Sequence, residues 1–238
     1  MELFFISEIH LQEPFSLPEE ESKHLYKVLR HVAGDHIRIT DGSGKYYTAV
    51  IDSISQKQCT IHILREENTG ISRSYHLHVA IAPTKNNERF EWFLEKGTEI
   101  GMDEITPLIC RHSERRELKT ERMNKILIAA LKQCGTGKLP LMNEITDFRK
   151  FLEKNNEAQK FICTMGAQEY IGMKIIPGKN AVVLIGPEGD FHQSEIDQAM
   201  EYGFIPVSLG HSRLRTETAA LMTCAIFANV NTIQGNKI

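Results

Sequence analysis

The first 70 residues alternate apolar and polar positions over short stretches, which is typical of β-strands with one buried face. Strands are predicted at residues 36–40, 45–51 and 59–64, with the turn Asp41-Gly42-Ser43-Gly44 between the first two. A helix opened by Pro18 precedes them, and its predicted apolar side is formed by Leu25, Val28 and Leu29. The polar stretch 65–74 indicates a linker. We therefore predict a small β domain over residues 1–72.

From Tyr75 the pattern changes to apolar runs without alternation, separated by longer segments of helical periodicity. Strands are predicted at 75–82, 105–109, 161–163, 181–185 and 205–209. Helices are predicted from about 87 to a stop at Gly101, from a Thr120 cap, from about 147, from the region of Ile196 to Gly203, and from a Thr216 cap to the end. Strands that alternate with helices predict an α/β domain with a parallel sheet over residues 73–238.

Composition and charge narrow the class of protein. The chain has 238 residues, of which 41% are hydrophobic and 25% charged, and this favours folded domains over disorder or a coiled coil. It has no signal-peptide pattern and no apolar run of membrane-spanning length, so we expect a cytoplasmic protein. Five scattered cysteines without a CxxC pair predict reduced thiols and no metal site, and Cys110-x-His112 is interpreted as structural. A net charge of −3 means that nucleic-acid binding would need local basic patches.

Two loops that follow predicted parallel strands are the strongest candidates for chemistry. They are Gly186-Pro187-Glu188-Gly189-Asp190 and Gly210-His211-Ser212-Arg213-Leu214-Arg215. Ligands bind at that edge of open α/β sheets. Neither loop is a P-loop or a dinucleotide fingerprint, which disfavours an enzyme that uses a nucleotide phosphate. Taken alone, the first loop fits a tight turn with a solvated Glu188 as well as it fits a binding loop.

In the order IGPEGDF then VSLGHSRLRTETAAL, these loops resemble the RsmE family of SPOUT-class RNA methyltransferases. The segments HLYKVLRHVAGDHIRITDGSGKYY, PTKNNERFEWFLEKGTEIGMDEITPLICRHSER and KQCGTGKLP extend the resemblance over most of the chain. It implies an N-terminal PUA-like β-barrel that binds RNA and a C-terminal SPOUT α/β domain with a trefoil knot. It further implies a homodimer that uses S-adenosyl-L-methionine to methylate uridine N3 in 16S ribosomal RNA, within the small ribosomal subunit.

The resemblance also carries cofactor-binding roles onto matching positions. The cofactor pocket is expected to be walled by Met165, Gly186, Pro187, Glu188, Gly189, Leu209, Gly210, Leu214 and Thr218. Two positions depart from the family pattern. His192 stands where the family has a Ser or Thr helix cap, which puts that cap in question, and Thr136 stands where it has an Arg, which weakens one expected RNA contact unless Lys138 replaces it.

The expected reaction needs an anionic uracil, because N3 is a weakly acidic imide. Arg215, beside the predicted start of the last helix, is a candidate to stabilise that anion together with the helix N-terminus. An ion pair of Arg215 with Glu217 or Glu188 is the structural alternative. Glu188, Glu217 and His211 are candidates to accept the proton, and water is a further one.

Local positive charge identifies candidate RNA contacts. Residues 111–125 hold six Lys or Arg against three Glu. The predicted RNA-binding residues are Lys23, Lys27, Arg30, Lys85, Arg111, Arg115 and Arg116. Solvated helix faces laced by ion pairs are the alternative, and Glu19 to Glu21 offset the charge of the first group. Tyr46 and Tyr47 are candidates for base stacking, with one of them expected in the core. The rival function is a catalytically silent RNA-binding or ribosome-assembly factor on the same scaffold.

Overall fold

The computed structural model describes residues 2–67 and 73–235, and its contacts divide the chain into two compact units. The first unit is Met1–Ser72 with Ile128–Leu139, and the second is Arg73–Leu127 with Pro140–Ile238. The segment 128–139, which contains the KQCGTGKLP motif except for its final Pro140, therefore packs within the first unit although sequence reasoning grouped it with the second. In the part of the chain that is described, no helix is long and apolar enough to cross a membrane.

The first unit is built on a five-stranded sheet in the order β1-β3-β4-β5-β2. Its elements are β1 Leu3–Phe5, β2 Phe15–Ser16, α1 Glu19–Lys23, a π-helix His24–Leu29, β3 His36–Thr40, β4 Tyr46–Ile54 and β5 Cys59–Glu67. All pairs are antiparallel except β1 with β3. The sheet curls into a half-barrel with β1 and β2 at its edges, which confirms the predicted small β domain.

Three details of the first unit differ from the sequence expectations. Residues 65–67, which were expected in the linker, belong to β5, and Glu67 pairs there with Arg38 at 3.1 Å. Residues 68–72 of the expected linker lie outside the described residues. Val28 is 64% exposed, because the helix widens to π geometry after Lys23 and its wider turn shifts the apolar positions.

Tyr46 and Tyr47 are both buried, so neither is free to stack on a base. Tyr47 lies in the main core of the half-barrel. Tyr46 lies on the other face of the sheet with Leu3 and Leu131, and its hydroxyl donates to the carbonyl of Gly135 at 2.5 Å. Successive strand residues point to opposite faces, and both faces of this sheet are covered.

The second unit contains a seven-stranded parallel sheet, counted over the described residues. Its strands are β6 Leu77–Ile81, β7 Glu104–Ile109, β8 Leu141–Met142, β9 Thr146–Asp147, β10 Gln159–Cys163, β11 Ala181–Ile185 and β12 Ile205–Val207. The order is β12-β10-β11-β6-β7-β8, and β9 extends the pairing of β7. Every pair is parallel, as predicted.

Helices cover both faces of this sheet, which is why β6 and β11 are buried along their whole length. The helices are α2 Asn87–Ile100, α3 Thr120–Cys134, α4 Phe148–Lys154, α5 Gln193–Glu201 and α6 Thr216–Gly235. On one face, Phe148, Phe151 and Phe191 pack against Ala80, Leu184 and neighbouring strand residues. On the other, α6 packs against β6, β11 and α2.

Candidate functional site: a three-loop cavity and basic side chains

A cavity of about 480 Å³ opens where β10, β11 and β12 end. Its lining comes from the loops that follow these three strands and from the start of α6. Eight of the nine predicted cofactor residues are brought together there: Met165, Gly186, Pro187, Glu188, Gly189, Leu209, Gly210 and Leu214. Thr218 does not line the cavity and is exposed. The volume and the position at the carboxyl edge suit a small-molecule site.

Asp190 joins two of the three loops and was missed by sequence reasoning. Its carboxylate accepts hydrogen bonds from the Thr164 hydroxyl and from the backbone N–H of Met165, both at 3.0 Å, and from the N–H of Phe191 at 2.8 Å. Asp190 has a φ of 72°, a left-handed conformation that Asp tolerates better than most residues. This side chain fixes the loop after β10 against the loop after β11.

The loop after β12 is tied to the loop after β11 through Thr216. Its hydroxyl donates to the carbonyl of Gly186 at 3.1 Å, and Thr216 is the first residue of α6. The expectation that Thr216 caps this helix is therefore wrong by one residue. The carbonyl of Arg215 accepts a hydrogen bond from the N–H of Ala219, so Arg215 occupies the N-cap position. All three loops are thus held by side chains of the cavity wall.

The glycines of the cavity serve different purposes. A Cβ on Gly186 would lie 3.0 Å from the Phe191 ring and 3.1 Å from its backbone nitrogen, so this glycine permits the loop to pack against Phe191. Gly210 has a φ of 117° and open space where its Cβ would be. Gly189, with a φ of 108°, has the same open space, so both glycines leave bare backbone in the cavity lining.

Arg215 is exposed and lines the cavity, and its guanidinium forms no ion pair or hydrogen bond within residues 2–67 and 73–235. The alternative reading of Arg215 as the partner of Glu217 or Glu188 has no support, because Glu217 instead faces Arg89 at 3.9 Å and Glu188 lies 3.4 Å from the backbone N–H of Lys85. Arg215 thus combines a free guanidinium with the N-terminal end of α6.

The three candidate proton acceptors occupy different environments. Glu188 is exposed in the cavity wall, and His211 is exposed in the third loop. Glu217 is buried and does not line the cavity, and its Oε2 has no hydrogen-bond partner in the described part of the chain. Cys163 also lines the cavity, but burial raises the pKa of its thiol to about 12, so it is not a thiolate at neutral pH.

Basic residues surround the backbone beside Glu188. Arg115 donates to the carbonyls of Thr84 at 3.2 Å and Lys85 at 2.7 Å, so it fixes the segment after β6. The ammonium of Lys85 pairs with Glu114 at 2.8 Å in an exposed position. Arg116 is exposed. The structure brings Lys85 and Arg115 together, and Arg115 has a structural role in addition to the predicted one.

His192 caps α5, which resolves one departure from the family pattern. Its Nδ1 accepts from the N–H of Ser194 at 3.2 Å, and the Glu195 carboxylate accepts from the His192 N–H at 2.9 Å. Glu195 also accepts from the N–H of Arg111 at 2.8 Å, and the Arg111 guanidinium lies 3.3 Å from His192 Nδ1. An imidazole nitrogen therefore serves as the acceptor that a Ser or Thr hydroxyl would provide.

In the first unit, the predicted basic residues Lys23, Lys27 and Arg30 lie on or just after the α1 and π-helical segment and are all exposed. Lys23 pairs with Glu19 at 2.7 Å. Neither Lys27 nor Arg30 forms an ion pair with another described residue. The structure thus separates one neutralised lysine from two basic side chains that remain available.

An RNA methyltransferase domain model matches residues 72–228, and an RNA methyltransferase PUA domain model matches residues 17–64. The chain belongs to this family of RNA methyltransferases, and within it to the RsmE group.

Individual relatives agree with this assignment. The chain is 28% identical over 228 residues to ribosomal RNA small subunit methyltransferase E of Buchnera aphidicola subsp. Acyrthosiphon pisum, covering 92% of this chain and 89% of that protein. A probable rRNA-methyltransferase from Porphyromonas gingivalis is 37% identical with a TM-score of 0.92, covering 98% of this chain and all of that one. Ribosomal RNA small subunit methyltransferase E from Neisseria gonorrhoeae, bound to S-adenosyl methionine, is 29% identical with a TM-score of 0.86, covering 97% and 98%.

Proposed function

We propose that this protein methylates N3 of a uridine in 16S ribosomal RNA with S-adenosyl-L-methionine as the methyl donor. The three-loop cavity is the observation that carries the proposal. Its wall presents backbone from glycine-rich loops, which suits an adenosine group held by backbone contacts, and its charged side chains are Glu188, Asp190, Arg213 and Arg215. The relatives named above are rRNA methyltransferases, and one of them was solved with this cofactor.

The residues of the cavity fit this donor. Gly210 leaves open space at the wall, and Leu209, Leu214 and Pro187 supply apolar surface. When bound, S-adenosyl-L-methionine supplies an activated methyl group on a sulfonium. Asp190 and Thr216 hold the loops that would position it, so much of the rate enhancement is expected to come from alignment of donor and acceptor.

Arg215 is proposed as the residue that favours the reactive form of the base. The N3 proton must leave before the new N–C bond forms and the S–C bond breaks, and the departing proton goes to Glu188, Glu217, His211 or water. The guanidinium of Arg215, next to the N–H groups at the start of α6, would stabilise negative charge on the uracil oxygens. Glu217 would reach that base only from outside the cavity lining, so Glu188 is the stronger candidate acceptor.

A homodimer in the cytoplasm that acts on the small ribosomal subunit completes the proposal. Met222 on α6 and Trp92 on α2 are 41% and 42% exposed, and α2 and α6 pack together, so these helices present apolar surface that a second copy would cover. The trefoil knot and the division of labour between residues 1–72 for RNA and 73–238 for catalysis remain predictions. Light scattering at micromolar concentration is expected to report a dimer.

The proposed activity is tested on ribosomal RNA from a strain that lacks this gene. Mass spectrometry should detect N3-methyluridine in 16S rRNA only after treatment with the protein and S-adenosyl-L-methionine. The rival function predicts a different outcome: RNA would bind, calorimetry would detect no S-adenosyl-L-methionine binding, and no methylated nucleoside would form. That result would overturn the proposal.

A further inference from the structure

The π-helix of the first unit ends at a residue with an unusual backbone conformation. Arg30 follows Leu29 with φ 56° and ψ 38°, and its N–H bonds to the carbonyl of Leu25. Glycine adopts this left-handed conformation readily, whereas residues with a Cβ rarely do. The backbone conformation at this helix end is therefore unfavourable for an arginine. A functional role of the side chain would explain why an arginine rather than a glycine occupies this position.

The Arg30 side chain is available for such a role. It is exposed, and within the described ranges 2–67 and 73–235 it makes no hydrogen bond or ion pair. Lys27, three residues earlier, is exposed and equally unpaired within those ranges. These two cations therefore lie on one short segment with no carboxylate of their own.

The nearby acidic residues offset this charge less than the sequence suggests. Glu19 is paired with Lys23 at 2.7 Å, and Glu21 is paired with Lys132 at 2.6 Å. Two of the three glutamates of α1 thus already have cationic partners. Lys27 and Arg30 keep a local positive field that phosphate groups would feel.

An aromatic residue, Tyr26, precedes the two cations along the π-helix. Tyr26 is 45% exposed and has no ring or hydrogen-bond contact among the described residues. Tyr26 and Lys27 lie on the π-helix and Arg30 follows its last residue, so the three exposed side chains belong to one short segment. Exposed aromatic rings beside unpaired cations are the combination with which proteins stack unpaired bases and hold the adjoining phosphates.

We propose that Tyr26, Lys27 and Arg30 form a surface that binds single-stranded ribosomal RNA, with Tyr26 stacking on an unpaired base and the two cations contacting phosphates. We call these three residues the Tyr26 surface. The proposal rests on the proposed function, to which it adds the single-stranded character of the bound RNA and a base-stacking residue. A double helix would hide its base faces from Tyr26, so the Tyr26 surface selects unpaired segments.

The test compares variants of the full-length protein for binding to a short single-stranded fragment of 16S rRNA and to the same fragment annealed to its complement. Tyr26→Ala should weaken single-strand binding about tenfold and reduce the preference over duplex, while Tyr26→Phe keeps both. Arg30→Gly should lower affinity and reduce the slope of log affinity against log salt by about 0.7, whereas its melting temperature should stay the same or rise. Lys57→Ala, an exposed lysine in the turn between β4 and β5, is the matched control and should change the affinity little.

Arg30→Gly separates binding from folding, since relief of the left-handed strain cannot itself weaken the fold. The inference would be overturned if Arg30→Gly bound the single-stranded RNA with the affinity and salt dependence of the wild type. It would also be overturned if Tyr26→Ala and Tyr26→Phe bound this RNA equally well. Methylation of rRNA by the wild type in that situation would leave the proposed function standing. If the variants lose affinity as expected but the wild type methylates no rRNA, the RNA surface stands and the proposed function fails.

Discussion

Replacing Asp190 should separate two loops of the cavity. Its carboxylate holds the Thr164 hydroxyl and the Met165 N–H, both at 3.0 Å, across a sequence gap of more than twenty residues. Asp190→Ala removes both bonds, and it places an alanine at a φ of 72°, which alanine tolerates less well than aspartate does. Asp190→Asn keeps the left-handed conformation and one carbonyl oxygen but loses the charge and one acceptor.

The expected magnitude follows from these bonds. A hydrogen bond to a charged group contributes about 1.5–3 kcal/mol, and partial exposure of Asp190 moves the value to the low end. Two such bonds at about 1.5 kcal/mol each give a loss of about 3 kcal/mol for Asp190→Ala. Asp190→Asn should lose about half as much. Because the loops carry the cavity wall, cofactor affinity should fall by about tenfold or more in Asp190→Ala.

Urea unfolding and calorimetric titration with S-adenosyl-L-methionine measure the two effects on the same protein. Asp197→Ala is the control, since Asp197 is exposed on α5 and should change stability by only a few tenths of a kcal/mol. If Asp190→Ala unfolds within about 0.5 kcal/mol of the wild type and binds cofactor equally well, the loops are held by other contacts and the reasoning is refuted.

Three further predictions concern single positions. Arg215→Ala should slow single-turnover methyl transfer by about a hundredfold with cofactor affinity retained, and higher pH should restore part of the rate. If cofactor affinity falls together with the rate, and higher pH restores none of the rate, the proposed role of Arg215 is contradicted. Gly210→Val should weaken cofactor binding at least about tenfold by calorimetry, whereas Gly186→Val should lower the melting temperature through its contact with Phe191. Burial lowers the pKa of His78 from 6.5 to about 4, so between pH 6.5 and pH 4 this histidine is protonated in the unfolded chain before it is protonated in the folded one. Acidification over this range should therefore lower the unfolding free energy, measured with urea, by about 3 kcal/mol. If His78→Asn shows the same dependence of stability on pH, the prediction is contradicted.

The strands around the cavity were predictable because burial on both faces leaves a clear pattern. The run Ala181–Ile185 has the predicted bounds, and its position made the loop after it a candidate that the family resemblance then favoured as a binding loop. Periodicity identifies which segment is buried, and parallel strands end at one edge, so both candidate loops could be placed at that edge. The individual cavity residues came from the resemblance to the RsmE family.

Contacts between distant segments could not be predicted in the same way. No periodic signal links Asp190 to Thr164, or directs Glu217 toward Arg89 instead of the cavity. The His192 cap was placed in question because the sequence rule favours hydroxyl and carboxyl side chains, while an imidazole nitrogen meets the same geometric need. The π-helical turn also has no sequence signature, and it exposes Val28 against expectation.

The first unit has a consequence for how the gene can be divided. Tyr46 and Thr40 donate to the carbonyls of Gly135 and Gly137, so part of this unit is encoded some sixty codons downstream of its sheet. A segment ending at codon 72 would therefore encode a β domain that lacks two of its own hydrogen-bond acceptors. Recombination that exchanges such a segment between genes would separate these donors from their acceptors, which makes this unit a poor candidate for shuffling as an independent module.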